Sequence, residues 1–454
     1  MTKTLKQRAV RSGSWVVLGH VFSQGLRLGS NLVLTRLLVP EMFGVMAIVT
    51  VIMSGLAMFS DVGLLQNIVQ SKRGEEPDYL HTAWTIQVIR GFIIFLIAIT
   101  VSAGLYYLGK TGCLSSETVY GNTELPLILA VVSITSIISG FNSINILLLN
   151  RQLMLGKLIV IELVSQVMGI VFMLSWAWYQ RDIWALVYGG IVSASVKMIL
   201  SNSLNLGERC HFCWDKAAVH EVFHFGKWIF LSSILGFMLN QGDRVILGGL
   251  VSPEELGIYT IAFFLANALK GVISKLLISV FFPFLSDVIR NEPDKIESVY
   301  YKIRFKIDMI TLFVAGLLFS IGSDIIDLLY DSRYENAGWM LEILSITIAS
   351  IGFMLADQLL LSYGKPKYAS LMILVQVISL YVFVPLCFFY YGLLGAVWAI
   401  AINPIIKILF TMLIMKINYF INFKRELMLL PLVAIGYLTG EQFKHFMLSN
   451  IINY

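Results

Sequence analysis

The chain has 454 residues, of which 57% are hydrophobic and 13% are charged, with a formal net charge of +5 and a mean hydropathy of +0.80. Soluble domains carry about 25% charged residues, so this composition excludes a soluble protein, which would need polar surface over several cores. Four cysteines are too few for a disulfide framework, and the short alternating segments of an outer-membrane barrel are missing. We therefore expect an all-α polytopic membrane protein.

Twelve apolar segments are long enough to cross a bilayer, which takes about 20 residues. In chain order they cover about 14–38, 43–64, 80–108, 125–149, 158–179, 183–203, 227–250, 257–285, 303–330, 338–363, 368–390 and 393–417. A thirteenth, about 427–446, is weaker because Glu441 and Lys444 interrupt it. No short apolar run with a cleavage site follows the basic N-terminus, so we expect the first segment to remain as a spanning helix.

The basic residues between these segments predict the orientation. With the N-terminus in the cytoplasm, Lys and Arg outside the spans gather on the cytoplasmic side, as the positive-inside rule requires. Only Lys110, Arg181, Arg333 and Lys444 then fall on the opposite side. A single missed span would scramble this distribution. The positive net charge is therefore mainly a signal of membrane topology, and it does not indicate a nucleic-acid partner.

The chain also contains an internal repeat. Pro40 and Gly44 recur as Pro253 and Gly257, 213 positions later, the difference between 253 and 40. Six predicted spans separate the two copies, and an even number gives both halves the same orientation. We expect a first half at 1–205, a cytoplasmic linker at 206–225, a second half at 226–417 and an extension at 418–454. Duplicated halves are typical of transporters, whose sites lie between the repeats.

Polar residues mark one face of the first predicted span: His20, Gln24, Arg27 and Asn31. Their spacing of three and four residues places them side by side on a helix. Under the repeat, Arg27 corresponds to Asn240 and Asn31 corresponds to Arg244. We expect these residues to line a cleft, because a charge at mid-span is costly away from water or a partner. The alternative is that they hold helices together, and Asp243 beside Arg244 would allow a structural ion pair.

Cations outnumber acids in the interiors of the predicted spans. Arg90 and Lys270 join Arg27 and Arg244 as candidate substrate-binding residues. A cationic cleft suits an anionic cargo, and arginine in particular matches the geometry of phosphate oxygens. Two acids, Asp61 and Asp357, are candidates for binding a coupling proton or sodium ion.

The residues around the repeated turn resemble a known family, the bacterial oligosaccharide flippases of the multidrug/oligosaccharidyl-lipid/polysaccharide exporter superfamily. The resemblance extends over about residues 10–420. It is carried by three motifs: Thr35-Arg36-Leu37-Leu38-Val39-Pro40-Glu41-Met42-Phe43-Gly44, Phe59-Ser60-Asp61-Val62-Gly63-Leu64, and Gly242-Asp243-Arg244-Val245-Ile246-Leu247-Gly248 with the later Glu255-Leu256-Gly257-Ile258-Tyr259.

This resemblance implies two six-helix lobes around a central cavity, in a transporter of the bacterial inner membrane rather than an enzyme. The expected activity is movement of undecaprenyl-pyrophosphate-linked oligosaccharide, an O-antigen or exopolysaccharide repeat unit, from the cytoplasmic to the periplasmic leaflet. Transport would proceed by alternating access driven by an ion gradient. The expected partners are the lipid-linked substrate and the bilayer, with a polysaccharide polymerase and a chain-length regulator. Many members have fourteen spans, and the polar end after Asn418 departs from that pattern.

Two other functions stay open. A multidrug antiporter of the same superfamily should have an acidic cavity, and a membrane glycosyltransferase or polymerase should have a larger catalytic loop. Cys210 and Cys213 with His220 and His224 offer the ligand types of a zinc site, but the gap between the two pairs is shorter than in zinc fingers. We therefore expect neither a metal nor another cofactor.

Overall fold

A computed structural model describes residues 5–152, 154–204, 209–418, 425–426 and 428–452. Over these residues the secondary structure is helical and contains no β-strand, which confirms the all-α class. The first ten helices are α1 Leu5–Leu37, α2 Pro40–Phe59, α3 Leu64–Gln70, α4 Pro77–Lys110, α5 Leu125–Val132, α6 Ile134–Gly140, α7 Asn145–Arg151, α8 Leu155–Tyr179, α9 Trp184–Ser203 and α10 Lys216–Gly248. They are followed by α11 Pro253–Leu276, α12 Phe282–Asn291, α13 Ile296–Leu329, α14 Ala337–Ala349, α15 Met354–Ser362, α16 Pro366–Asn418 and α17 Pro431–Ile452.

Contacts within the chain define two compact units. The first unit is Met1–Gly257 and the second is Ile258–Tyr454. The helix α10 thus groups with the first unit, because it packs against α2, although the repeat places it at the start of the second half. The predicted division of the two repeats at 206–225 is a statement about sequence similarity and stays a prediction.

Eight stretches of the described chain are helical, long and apolar enough to cross a membrane, and a bent pair of helices would make a ninth. The predicted apolar segments lie on helices, but this criterion does not single out all twelve. The exact number of spans therefore stays a prediction, whereas a multi-pass helical membrane protein is supported directly.

The predicted span 125–149 is broken rather than straight. It is divided among α5, α6 and α7, and Leu125–Gly140 meets Asn145–Arg151 at a bend of 63°. Hydroxyl groups inside it donate to the preceding turn, from Ser133 Oγ to the Ala130 carbonyl and from Thr135 Oγ1 to the Val132 carbonyl, both at 2.6 Å. Such bonds compete with the helical ladder, and they lie at the interruption between α5 and α6, whereas the 63° bend lies further along, between Gly140 and Asn145.

The last two predicted spans, 368–390 and 393–417, lie on the single long helix α16. Gly392 interrupts this helix with φ of 62° and ψ of −152°, a conformation that only a residue without Cβ adopts cheaply. The interruption falls in the gap predicted between the two spans. The sequence thus placed this boundary correctly, and the glycine explains it.

The described part of the predicted linker is 209–225, and residues 216–225 of it form the start of α10. The preceding non-helical segment, 209–215, runs along the N-terminal part of α4 in the first unit. The Cys213 backbone N–H donates to Thr85 Oγ1 at 3.1 Å, and the Asp215 N–H donates to Thr82 Oγ1 at 3.0 Å. Arg73 Nη2 binds Asp215 Oδ2 at 2.8 Å. The Asp215 carboxylate also accepts from the first free N–H groups of α10 and caps that helix.

The weak thirteenth segment forms the helix α17, which packs along α13 in the second unit. Gly316 and Gly436 allow the two backbones to touch, because a Cβ on either residue would collide with a carbonyl of the opposite helix. Ser320 Oγ donates to Glu441 Oε1 at 2.8 Å. Lys444 Nζ lies 3.3 Å from Asp324 Oδ2. The charges that weakened this segment in sequence are therefore satisfied by α13.

Candidate functional site

The polar face of α1 divides between a helix contact and open surface. Ser23 Oγ donates to Gln166 Oε1 of α8 at 2.6 Å, and Gln166 Nε2 returns a bond to the Ser23 carbonyl at 3.1 Å. Arg27 is exposed, and its side chain has no hydrogen bond or ion pair among the described residues. The helix contact therefore uses Ser23, and Arg27 is left accessible. The other predicted members of this face, His20, Gln24 and Asn31, are half-buried.

The corresponding residues of α10 make local bonds. Asn240 is exposed, and its Nδ2 donates to the Gly236 carbonyl at 2.8 Å. Arg244 Nη1 donates to Gln241 Oε1, one turn earlier, at 3.1 Å. Asp243 is buried, with 4% of its surface exposed. These residues of the second predicted stripe thus lie on α10, in the first unit.

A cavity of about 460 Å³ lies in the first unit, between α2, α4, α5 and α6, and both polar and apolar side chains line it. Its polar wall consists of Thr50, Ser54, Gln87, Arg90, Thr135, Ser136 and Ser139. Among the described lining residues, Arg90 carries the one formal charge. A guanidinium surrounded by hydroxyl and amide groups can donate hydrogen bonds to an anionic, hydroxyl-rich ligand. The hydroxyl and amide oxygens can also accept hydrogen bonds from the hydroxyl groups of such a ligand.

Arg90 is held at the end of α2. Its Nε donates to Ser60 Oγ at 3.1 Å, its Nη2 donates to the Ala57 carbonyl at 2.5 Å, and its Nη1 lies 3.9 Å from Asp61 Oδ1. The guanidinium thus faces the carbonyl end of α2, where a positive charge is favoured. The side chain stays 25% exposed toward the cavity. It is fixed in orientation and still accessible.

Both candidate coupling acids are engaged with cations. Asp61 faces Arg90, and its Oδ1 accepts from the Gly63 backbone N–H at 2.9 Å. In the second unit, Asp357 Oδ2 lies 2.6 Å from Lys407 Nζ, and each side chain is 19% exposed. Lys407 therefore binds a carboxylate of α15. Sequence reasoning missed this pair because its members are 50 residues apart.

The structure brings only some of the predicted site residues together. Arg90 lines the cavity and lies beside Asp61, and the stripes of α1 and α10 belong to the same unit. Lys270 is exposed on the part of α11 that belongs to the second unit. Substrate binding by these residues stays a prediction.

A second charged group, buried in the second unit, was missed. Arg304 of α13 contacts Asp308 and Glu426, and all three side chains are at most 6% exposed. Arg304 lies at the start of the predicted span 303–330 and was not among the predicted site residues. The signal that could have found the pair is the spacing of Arg304 and Asp308, which are four residues apart on one helix.

Within the described residues, no group of three or more His, Cys, Asp or Glu side chains is arranged to hold a metal ion. His220 and His224 lie with ring centroids 6.0 Å apart, and Cys210 and Cys213 are free thiols. The four residues of the zinc-like motif thus form no such group.

Comparison with known proteins gives a consistent grouping. The family model described as "Polysaccharide biosynthesis protein" matches residues 33–338. The succinoglycan biosynthesis transport protein ExoT of Rhizobium meliloti (strain 1021) is 22% identical over 349 residues, which cover 76% of this chain and 68% of that protein. The lipopolysaccharide biosynthesis protein WzxC of Escherichia coli (strain K12) is 21% identical over 354 residues, covering 77% and 69% of the two chains.

Two solved structures show the same fold. The lipid II flippase MurJ in an inward closed conformation superposes with a TM-score of 0.65 and 13% identity, covering 95% of this chain and 98% of MurJ. An inward-facing multidrug resistance MATE family transporter of the MOP superfamily superposes with a TM-score of 0.61 and 15% identity, covering 92% and 94%. The fold expected from the motif resemblance is confirmed.

Proposed function

This chain belongs to the polysaccharide biosynthesis protein family, and we propose that it is a flippase for lipid-linked oligosaccharides. It moves undecaprenyl-pyrophosphate-linked repeat units from the cytoplasmic to the periplasmic leaflet of the bacterial inner membrane. The relatives named for succinoglycan transport and for lipopolysaccharide biosynthesis support this cargo class, and the fold shared with a lipid II flippase supports the type of movement.

The observation that carries the proposal is Arg90, the one charged residue among the described residues that line the cavity in the first unit. A pyrophosphate has two charged phosphates, and a guanidinium binds phosphate oxygens through paired N–H groups. The surrounding Ser, Thr and Gln side chains suit sugar hydroxyls. A neutral or cationic cargo would gain nothing from the single positive charge of this cavity.

The proposed cycle uses the remaining candidates as accessory groups. Arg27, exposed and without a partner among the described residues, meets the pyrophosphate head, and Arg244 or Lys270 assists. His20, Gln24, Asn31 and Asn240 contact the sugars, while the polyprenyl tail stays in the bilayer. The protein alternates between access from the two leaflets, and an ion gradient drives the change, with Asp61 or Asp357 as the ion-binding acid.

We also propose an orientation in the membrane and two partner proteins. The N-terminus lies in the cytoplasm, as the distribution of Lys and Arg predicts. A polysaccharide polymerase and a chain-length regulator act on the flipped units at the periplasmic face.

A multidrug antiporter is the second candidate, favoured by the fold shared with a MATE family transporter. Cationic drugs need acidic partners, and the described lining of the cavity in the first unit contains Arg90 and no acidic residue. This cavity therefore favours the anionic cargo. A membrane glycosyltransferase or polymerase is the third candidate.

A deletion strain separates the candidates by the lipid-linked sugars that it accumulates. Loss of a flippase leaves complete lipid-linked repeat units in the inner leaflet of the membrane. Loss of an assembly enzyme leaves incomplete units, and loss of a polymerase leaves single units that have already been flipped. Normal polysaccharide together with a new sensitivity to cationic drugs would instead support the antiporter.

A further inference from the structure

One charged group buried in the second unit contains none of the residues proposed to bind substrate. Arg304 Nε lies 2.6 Å from Asp308 Oδ2, and Arg304 Nη1 lies 3.0 Å from Glu426 Oε2. The exposed fractions of the three side chains are 3%, 6% and 0%. One guanidinium is therefore enclosed with two carboxyl groups, which we name the Arg304 cluster.

The walls of the Arg304 cluster are aromatic side chains and backbone. Arg304 Nη1 donates to the Tyr300 hydroxyl at 3.1 Å, and the Arg304 guanidinium lies over the Phe353 ring at 3.7 Å. Gly352 packs directly on Asp308 Oδ1, where a Cβ would collide with that oxygen. Tyr301 faces Glu426 from α13. These groups leave little space around the three charged side chains of the Arg304 cluster.

Arg304 is the one cation that contacts either carboxyl group in the described part of the chain. The neighbouring Arg425 pairs with Glu297 at 3.1 Å, where both side chains are about half exposed, at 55% and 46%. Two ionised carboxylates beside one guanidinium would leave a net negative charge in a site closed to water. Such a charge is strongly unfavourable, and proteins remove it by binding a proton or a cation.

A proton fits the Arg304 cluster better than a metal ion. Asp308 Oδ1 has no hydrogen-bond partner, and a protonated Glu426 carboxyl would neutralise the charge while adding a donor. Sodium or another hard cation would need a larger shell of oxygen ligands than two carboxyl groups supply beside the guanidinium of Arg304. Burial also raises the pKa of the Glu426 carboxyl, against the opposing effect of Arg304.

We propose that the Arg304 cluster is a proton-binding site, with Glu426 as the group that takes the proton. The Glu426 carboxylate accepts a proton from water and becomes a neutral acid, and Arg304 keeps its ion pair with Asp308. Because Glu426 lies just before α17, which packs along α13, protonation loosens one attachment of the C-terminal segment. A coupling role for this proton rests on the proposed transport function, whereas the binding site itself does not.

The test is thermal unfolding of the full chain in detergent, from about pH 5 to pH 8, for the wild type, Glu426→Gln and the control Glu297→Gln. A carboxyl with a raised pKa binds its proton more tightly in the folded state than in the unfolded state. Wild-type stability should therefore fall as the pH rises through this range. Glu426→Gln keeps the neutral Arg304–Asp308 pair, so its Tm should change less with pH and should exceed the wild-type Tm at the alkaline end. Glu297→Gln should follow the wild type.

Parallel curves for the wild type and Glu426→Gln would overturn the proposal. A Tm that rises with sodium but not with choline at constant pH, in the wild type only, would also overturn it, because a metal cation would then fill the site. Asp308→Asn is the second variant and should flatten the curve in the same way. Failure of both variants to fold would contradict the charge count, since removing one carboxylate should relieve the excess charge.

Transport measurements separate this proposal from the proposed function. If reconstituted wild type moves lipid-linked oligosaccharide, Glu426→Gln should retain movement but lose at least tenfold of its stimulation by an imposed pH gradient. Equal stimulation of both proteins would overturn the coupling role. If the wild type moves no lipid-linked sugar while the unfolding curves differ as expected, the proposed function fails and the proton site stands.

Discussion

Gly44 and Gly257 occupy the same position in the two copies of the repeat, and each lies against the proline turn of the other copy. A Cβ on Gly44 would collide with the Pro253 carbonyl oxygen, and a Cβ on Gly257 would collide with the Pro40 carbonyl oxygen. Both glycines belong to the first unit. The turn recognised by its repetition in sequence is thus also a reciprocal backbone contact, which explains why both copies have glycine there.

Replacing Gly44 by alanine should destabilise the protein. The added Cβ meets backbone rather than a movable side chain, so the two helices must separate, at a cost of roughly 1–3 kcal/mol. Gly104→Ala is the matched control, because nothing lies within 4 Å of its Cβ position on α4, and it should be neutral or stabilising by up to about 1 kcal/mol. Unfolding in detergent measures both, and equal stabilities for Gly44→Ala and the wild type would contradict the contact.

Arg90 should be required for transport itself, and not only for the stability of the folded protein. Arg90→Ala removes the donors to Ala57 and Ser60 and the charge of the cavity, so translocation should fall by roughly tenfold or more, since hydrogen bonds of charged groups contribute about 1.5–3 kcal/mol. Arg90→Lys keeps the charge and should retain part of the rate. Ser60→Ala, the control, removes one acceptor and should have little effect. Loss of stability with unchanged transport per folded molecule would assign Arg90 to structure alone.

The Lys407–Asp357 pair should show strong coupling. Each side chain is mostly buried, so Asp357→Asn or Lys407→Met leaves a charge without its partner and should lower the free energy of unfolding by roughly 1–3 kcal/mol. The double variant should cost less than the sum of the single changes, because it buries no lone charge. Additive costs in a double-mutant cycle would show that the two groups do not interact.

The contact between Arg73 and Asp215 should give stability that depends on acid pH. The hydrogen bond from Arg73, followed by that from the Ala217 backbone N–H, lowers the pKa of Asp215. The contribution is therefore complete above the unfolded pKa of about 4 and is lost as the pH falls through the lower folded pKa. Asn still caps a helix, so Asp215→Asn isolates the charge. The Tm difference between wild type and variant should shrink below about pH 4, and a difference independent of pH would contradict this assignment.

The positions of the helices could be predicted from the sequence, because a long apolar run is recognised from consecutive residues alone. The boundary at Gly392 was predictable for the same reason, since the apolar run pauses there. The break at Ser133 was not predicted, because hydroxyl bonds to the preceding turn leave the hydropathy unchanged.

The site was less predictable than the fold. The residue types at Arg90 and Asp61 marked them as candidates, but the partners of Arg90 come from the end of another helix. The Arg304 cluster escaped notice because Glu426 follows the long apolar helix in sequence and meets α13 only after folding. Buried ion pairs between distant residues depend on tertiary packing, which periodicity does not describe.

The central claim is tested most directly by translocation of lipid-pyrophosphate oligosaccharide in proteoliposomes, comparing wild type, Arg27→Ala and Arg181→Ala. Both arginines are exposed and have no side-chain partner among the described residues, so neither change should affect folding. We expect transport by the wild type and by Arg181→Ala, whose residue lies in the short segment between α8 and α9, and loss of transport by Arg27→Ala. Equal transport by all three would move the cargo path away from α1, and no transport by the wild type under a proton or a sodium gradient would contradict the flippase itself.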